Sequence, residues 1–414
     1  MLIGLGRAEM EDLTRRRVLQ AGAGAGAALL AAPAFPWTAA AAGASPGSGP
    51  VVDAKQTWDD EPDELIADIY RHRDVTKVNN ALRGWTKNGQ ALPKSLPTDL
   101  RVFIENAREL PDWADRGKLA DAVTFNQKRG TYLGVLYGFA SGMMSAVIPN
   151  EARTVYYSRG GAALKDRISK TAKLGYDIGA LNAYQDGGEM AVTCVKTRLI
   201  HSAVRHLLPQ QHQWSSRMPD QKKPITQADQ MVTWHSLPTT VMRMLKRWQV
   251  PINPAESAGF LHSWQVAGHM LGIQDGLIPA TWSDAEAQAK IALDPILKGT
   301  PEGRKLADML LDLGFNLDLS LLSRGVLGAL TRFMLGDKIA HELRIPREPV
   351  WDPLLETAWG PFILVREGVL QAGMPKEAYW TFDEMLRQFV LLYISELRMP
   401  ITIELPYTNN PNYK

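Results

Sequence analysis

The spacing of apolar residues constrains the fold of this 414-residue chain most strongly. Apolar side chains recur at steps of three and four over long stretches, as expected for helices with one buried face. Alternation with a period of two, which would indicate strands, is scarce. The sequence therefore predicts an all-α fold. One apolar stripe consists of Leu319, Leu322, Val326, Leu330, Phe333 and Met334, and another of Met385, Phe389 and Leu392. Four prolines lie where helices would begin or end: Pro209, Pro279, Pro346 and Pro375.

The N-terminus has the features of a twin-arginine export signal. Arg15 and Arg16 precede a short apolar stretch, residues 21–34, and small residues with A-x-A cleavage points follow. A transmembrane anchor is the alternative, but Pro33 interrupts a stretch that is shorter than the ~20 apolar residues a span needs. We predict a cleavable signal over residues 1–44, no stable membrane anchor, and a mature protein secreted by the twin-arginine translocation machinery. Because this machinery carries folded cargo, the signal also hints at a prosthetic group inserted before export.

Composition excludes several classes of function. The only cysteine is Cys194, so the chain can form neither an intrachain disulfide, nor a cysteine-based zinc or iron–sulfur site, nor a covalent c-type haem attachment. The formal net charge is +2 and no Lys/Arg-rich run occurs outside the signal, which argues against nucleic-acid binding. The chain lacks H-E-x-x-H, G-x-S-x-G, P-loop and Rossmann signatures, so the corresponding chemistries are not expected.

The chain after the signal is predicted to form one domain. No Gly/Ser/Pro-rich linker divides its interior and no internal repeat is present. We predict a flexible linker over residues 45–58 and a single all-α domain over residues 59–414, in which the acidic run 59–64 opens the first helix. A monomer is the default expectation.

A candidate ligand lies in the segment 190–209, which reads as one helix ended by Pro209. His201 has mostly apolar neighbours there, including Ile200 and Val204. A neutral imidazole in such surroundings could bind a haem iron through a ring nitrogen. From this segment alone, a hydrogen-bonded core histidine is the more usual interpretation.

A second candidate site combines a helix face with an upstream carboxylate. Arg167, Lys170 and Thr171 share one face of the predicted helix 164–174. This face is either a solvated basic stripe or a site at which a desolvated Lys170 loses its proton and binds a metal or activates a substrate. Glu151 lies where a loop leads into a helix, so its simplest role is a helix N-terminal charge.

A third cluster contains His262 and His269, seven residues apart on one helix face. Two histidines at this spacing cannot easily share one metal ion. We therefore predict packing or hydrogen-bonding roles for both.

Taken together, these motifs resemble those of the latex clearing proteins, secreted actinobacterial rubber oxygenases within the wider MpaB-like oxygenase superfamily. The resemblance includes the export signal, the helical body and the motif order, so it covers essentially the whole chain. The histidine motif is shared across the superfamily, whereas the Arg-x-x-Lys-Thr motif with its upstream glutamate is more specific. The matching elements are Glu151, Arg167-Ile-Ser-Lys170-Thr171, Thr197-Arg-Leu-Ile-His201-Ser-Ala-Val-Arg205-His206, and His262-x-Trp264 with His269-Met-Leu-Gly272.

The resemblance implies a globin-like helical core with flanking helices around one non-covalent haem b per chain. It implies that His201 is the proximal iron ligand and Lys170 the distal ligand in a closed state. Arg167 and Thr171 would belong to the catalytic and haem pocket, and Glu151 would be the catalytic acid/base. Mainly structural roles are expected for His206, His235, His262 and His269.

The activity implied by the resemblance is that of a haem-dependent dioxygenase. Its substrates would be cis-1,4-polyisoprene and O2, and endo-type cleavage of the double bonds would give oligo-isoprenoids with aldehyde and ketone ends. Two alternatives are a related haem oxygenase that acts on a small terpenoid or lipid, and an exported haem-binding protein without catalytic activity.

Overall fold

The computed structural model describes residues 45–47, 53–219, 221, 223–315, 323–370, 375 and 401–412. Helices dominate these ranges and no extended strand occurs in them, which confirms the predicted all-α fold. No helix in these ranges is long and apolar enough to cross a membrane. Parts of the predictions lie outside the described residues, namely the signal 1–44, Leu319, Leu322, Met385, Phe389 and Leu392.

The helices of the first half of the chain run up to the segment that carries His201. They are α1 (Asp63–His72), α2 (Val75–Arg83), α3 (Thr98–Ala107), α4 (Arg116–Val135), α5 (Ser141–Ala146), α6 (Pro149–Tyr157), α7 (Arg159–Ala162), α8 (Leu164–Ile178) and α9 (Met190–Leu207).

The remaining described helices lie in the second half of the chain. They are α10 (His212–Arg217), α11 (Gln227–Trp234), α12 (Thr240–Arg247), α13 (Pro254–Met270), α14 (Trp282–Ala292), α15 (Pro301–Phe315), α16 (Arg324–Leu335), α17 (Asp337–Glu342) and α18 (Trp351–Leu364).

Two π-helical segments join neighbouring helices into continuous rods. Leu136–Ala140 connects α4 to α5, and His235–Thr239 connects α11 to α12. Pro238 lies inside the second segment. Because proline has no amide hydrogen, it cannot continue the regular helical hydrogen bonding, and the local widening accommodates it.

The helices α4 and α13 pack against each other more extensively than any other described pair. Gly259 permits this approach, because a Cβ atom at that position would lie 2.6 Å from the backbone nitrogen of Ala122. Close packing of two long helices at a glycine thus organises the centre of the domain.

Helix α9 separates two apolar cores. Its residues Val192, Val195 and Leu199 pack into the smaller core with α1, α2 and α3. Its residues Met190 and Cys194 face the larger core, which is built from most of the remaining helices. A helix buried on both sides in this way holds its side chains in well-defined positions.

The acidic run before α1 is only partly helical. The first helix begins at Asp63, after Pro62, so the predicted helix start at residue 59 is too early. Asp59 and Glu61 instead form ion pairs with Arg198 on α9, at 2.7 and 2.5 Å. These carboxylates connect the beginning of the domain to the central helix.

Part of the predicted linker lies against the domain. The carbonyl oxygens of Ala54 and Thr57 accept hydrogen bonds from the backbone nitrogens of Ala228 and Gln227, at 2.8 and 2.7 Å. Ala54 is buried in the larger core. Residues 53–58 are therefore attached to the start of α11.

Candidate functional site

His201 lies on the face of α9 that also carries Cys194 and Thr197, because steps of seven and four return to the same side of a helix. Burial, with the charges of Arg205 and Arg167 nearby, lowers the pKa of His201 to about 3, so its imidazole is neutral. The described residues provide no hydrogen-bond partner for its buried Nδ1 atom. Buried polar atoms are nearly always bonded. This side chain is therefore suited to bind a group other than the protein itself.

Glu151 is held at the N-terminal end of α6. Pro149 occupies the first position of this helix and Glu151 lies in the first turn, where the helix dipole favours a negative charge. Oγ1 of Thr233, on α11, donates a hydrogen bond to Oε2 of Glu151 at 3.0 Å. Burial raises the pKa of Glu151 above its ordinary value, while Arg167 acts in the opposite direction. The carboxyl group therefore exchanges its proton closer to neutral pH than an exposed glutamate does.

Arg167 links Glu151 and His201 electrostatically. Its charge lowers the pKa of both groups, while burial lowers the pKa of Arg167 itself. All three side chains keep some accessible surface, although burial is the largest cause of each pKa shift. The fold thus brings these three predicted site residues into one interior region.

Thr171 and Lys170 have partners on their own helix. Oγ1 of Thr171 donates to the carbonyl oxygen of Arg167 at 3.1 Å. Nζ of Lys170 lies 2.7 Å from Oδ2 of Asp166. This conformation therefore shows a paired ammonium group and not the desolvated amine that the ligand hypothesis requires. Lys170 would have to leave Asp166 in order to bind an iron.

Contacts around Glu151 include residues that the sequence analysis did not identify. Nδ2 of Asn150 donates to Oδ1 of Asp229 at 3.2 Å, and Thr233 binds Glu151 directly. Asp229 also closes a capping box with Thr226 at the start of α11. The Thr-x-x-Asp spacing is visible in the sequence, but nothing in it shows that α11 lies beside α6.

The pair His262 and His269 is structural, as predicted. Nε2 of His262 accepts from the backbone nitrogen of Asp115 at 2.8 Å, and Nδ1 of His269 lies 2.7 Å from Oδ1 of Asp275. The ring of Trp113 packs edge-on against both imidazoles, with centroids 5.8 Å apart in each case.

Structural contacts also involve His206 and His235. The ring of His206 stacks on Tyr70, with the two ring centroids 5.1 Å apart. Nδ1 of the buried His235 lies 2.9 Å from Oγ1 of Thr239. These contacts agree with the structural roles expected for both histidines.

Comparison with known proteins shows the family. A family profile described as "ER-bound oxygenase mpaB/B'/Rubber oxygenase, catalytic domain" matches residues 128–364, which include Glu151, Arg167 and His201. A rubber oxygenase from Streptomyces sp. (strain K30) is 47% identical over 411 residues, covering 97% of this chain and 100% of the relative. The chain belongs to this oxygenase family. The resemblance found in the sequence motifs is therefore confirmed.

A solved structure of the family supports the same conclusion for the fold. The structure described as "Latex Clearing Protein LCP in the closed state" matches with a TM-score of 0.79 and 49% sequence identity, over 88% of this chain and 98% of that one. At this identity, the shared all-α architecture reflects a common family.

The site of this oxygenase family member fits a haem group. A haem iron takes four ligands from its porphyrin, so one or two side chains complete its coordination. The neutral imidazole of His201, with its unbonded Nδ1, is a suitable nitrogen donor. Arg167 is a buried cation for which the described residues provide no hydrogen-bonded carboxylate, so its guanidinium could bind a haem propionate.

Proposed function

We propose that this protein is a rubber oxygenase that cleaves the double bonds of cis-1,4-polyisoprene with O2 and releases oligo-isoprenoids with aldehyde and ketone ends. One observation carries the proposal: the neutral His201 lies in the same interior region as Arg167 and Glu151. The family relationship to a protein named rubber oxygenase supports the choice of substrate.

The proposed cofactor is one non-covalent haem b. His201 and, in a closed state, Lys170 would bind its iron, and Arg167 would pair with a propionate or with Glu151. When bound, the haem would supply the iron centre that activates O2. The chain has a single cysteine and therefore no C-x-x-C-H motif for thioether attachment, which agrees with non-covalent binding.

Glu151 is the proposed acid/base. A carboxylate with a raised pKa is a competent base near neutral pH. We propose that it accepts an allylic proton of the polymer. Conversion of an alkene and O2 into two carbonyl groups consumes and releases no protons overall. The same carboxyl group must therefore return the proton before product release. Thr233 orients the carboxyl during both transfers, and the charge of Arg167 stabilises its ionised form.

The nature of the substrate sets the remaining requirements. Polyisoprene carries no charge and forms no hydrogen bonds, so recognition must rest on shape and apolar contact. A polymer of this size does not enter a cell. We therefore propose that the protein acts outside the cell, after export through the signal predicted at residues 1–44.

The test combines cofactor analysis with turnover. We expect a b-type spectrum before and after dithionite, a matching pyridine haemochrome, and O2 uptake with polyisoprene latex that yields carbonyl-ended oligomers. His201→Ala should lose the haem. The control is His206→Ala on the same helix, which should keep the haem because His206 stacks on Tyr70.

Other outcomes would lead to different conclusions. Haem without O2 uptake would indicate a binding protein, and O2 uptake with geranylgeranyl compounds but not with latex would indicate a small-molecule oxygenase. Absence of haem from protein purified after haem supplementation would overturn the proposal.

A further inference from the structure

We propose that Asp229 is a positioning residue for Glu151: it joins the helix that carries this glutamate to the helix that carries its hydrogen-bond donor. The inference rests on the proposed function, in which Glu151 exchanges a proton with the substrate. Asp229 itself does not touch the substrate in this proposal. It acts through the orientation and charge environment of Glu151.

The carboxylate of Asp229 is bonded on both oxygens. Oδ1 accepts from Nδ2 of Asn150 at 3.2 Å, across the interface between α6 and α11. Oδ2 accepts from the backbone nitrogen and hydroxyl of Thr226, both at 3.0 Å, and from Nε2 of Gln221 at 2.6 Å. One side chain therefore secures the start of α11 and its contact with α6.

Two adjacent contacts hold consecutive residues of α6. Asp229 and Thr233 are four residues apart, so they lie on the same face of α11. Asp229 binds Asn150 and Thr233 binds the neighbouring Glu151. A shift of α11 along or around its axis would move the Thr233 hydroxyl away from the glutamate. The anchor at Asp229 opposes such a shift.

The charges around Glu151 give Asp229 a second effect. Arg167 on α8 and Asp229 on α11 are the charged groups that act on the pKa of Glu151, and the Thr233 hydroxyl binds its carboxylate. The Ser145 hydroxyl on α5 also lowers this pKa, although it donates to the carbonyl oxygen of Gly142 at 3.3 Å.

The nearby charged residues on α10 and α15 pair with groups other than Glu151. Glu302 on α15 lies 3.7 Å from Nε of Arg153, and Arg217 on α10 lies 4.0 Å from Glu302.

The negative charge of Asp229 raises the pKa of Glu151, in opposition to Arg167. Loss of this charge should therefore lower the pKa of Glu151.

The chain contains a matched control for the test. Thr281 and Asp284 form the same Thr-x-x-Asp capping box at the start of α14, where Oδ2 of Asp284 accepts from the backbone nitrogen and hydroxyl of Thr281 at 3.0 and 2.8 Å. Asp284→Asn changes the same local structure away from Glu151. Comparison of Asp229→Asn with Asp284→Asn thus separates the positioning role from helix capping.

The experiment measures both variants as haem-loaded, full-length protein with polyisoprene latex. We expect both to keep the haem spectrum, and Asp229→Asn to lose more thermal stability, because the less exposed Asp229 also accepts hydrogen bonds from Asn150 and Gln221. Only Asp229→Asn should lower kcat, by about tenfold or more with little change in KM, since small misplacements of a reacting group reduce rates by factors of this order. Only this variant should move the acid limb of the activity–pH profile to lower pH.

A second variant keeps the proposal testable if Asp229→Asn does not fold. Asn150→Ala removes the bond between the helices but leaves the capping box and the charge of Asp229 intact. It should lower kcat without moving the acid limb. Equal kcat values and pH profiles for Asp229→Asn and Asp284→Asn, or an unchanged kcat in Asn150→Ala, would overturn the proposal. A wild-type protein that lacks haem or O2 uptake would contradict the proposed function instead.

Discussion

The Nζ atom of Lys170 lies 2.7 Å from Oδ2 of Asp166, one helical turn earlier on α8. An amine forms such an ion pair in its protonated state, whereas a nitrogen that binds iron must have a free lone pair. The observed ion pair and the proposed distal ligation therefore exclude each other. In the proposed closed state, Asp166 would compete with the haem iron for this lysine.

Replacement of Asp166 by Asn should shift this competition towards the proposed closed state, in which Lys170 binds the iron. The pair is partly exposed, since 59% of the Asp166 side chain is accessible. Pairs of this kind contribute about 0.2–1 kcal/mol, so the ratio of closed to open protein should rise by a factor of roughly 1.4 to 5. The Soret spectrum and the apparent affinity for imidazole measure this ratio.

The control for this prediction is Asp308→Asn. Asp308 forms an ion pair with Arg324 and has a similar exposure, 60%. The variant Asp308→Asn should leave the Soret spectrum and the imidazole affinity unchanged. Equal affinities in Asp166→Asn and the wild type would show that the ion pair does not affect the state of the site.

Replacement of Glu151 by Gln should abolish most of the activity. Glutamine can still accept the hydrogen bond from Thr233, but it cannot take up a proton. General acid–base groups contribute about 10²–10⁴-fold, so O2 uptake with polyisoprene should fall by at least ~100-fold with an intact haem spectrum. Glu302→Gln changes another buried glutamate, bonded to Tyr157 at 3.0 Å, and should keep the activity. Haem loss in Glu151→Gln would instead indicate a structural role.

Acid should destabilise the haem-free protein through its buried histidines. Burial lowers the pKa of both His201 and His235 from 6.5 to about 3. The unfolded chain therefore binds more protons than the folded protein between these values, and stability is lost as pH falls below 6.5. Each histidine contributes a slope of up to about 1.4 kcal/mol per pH unit.

Urea denaturation at pH 7, 6 and 5 measures this slope. His201→Leu should show a weaker pH dependence of the free energy of unfolding than the wild type. His72→Leu, at an exposed position on α1, should retain the wild-type dependence. Parallel curves for His201→Leu and the wild type would contradict the neutral, buried state of His201.

Two glycines within helices should respond to alanine in opposite directions. At Gly259 an added Cβ would lie 2.6 Å from the Ala122 nitrogen, so Gly259→Ala should destabilise the protein by about 1–3 kcal/mol. At Gly360, within α18, a Cβ atom would have no described neighbour within 4 Å, so Gly360→Ala should stabilise the protein by up to about 1 kcal/mol. Thermal unfolding of the two variants measures both changes in stability. An unchanged stability in Gly259→Ala would mean that α4 and α13 can move apart at little energetic cost.

Much of the local structure was predictable from the sequence alone. The apolar spacing indicated the all-α fold, Pro209 marked the end of the helix that carries His201, and the helix start before Glu151 was recognised. The motif order around Glu151, Arg167 and His201 also identified the family. These features depend on backbone hydrogen bonds and side-chain spacing within a few turns, so a short window of sequence contains the information.

Only the tertiary structure decided which side chains meet. Thr233 binds Glu151 across a separation of 82 residues, and Asp59 pairs with Arg198 across 139. Residues 53–58, predicted as linker, lie against α11 for the same reason. Such contacts depend on how helices pack around the two cores, which local propensity does not encode. The sequence by itself thus determined the helices, the family and the candidate residues, whereas packing decided the partners that set their charge and orientation.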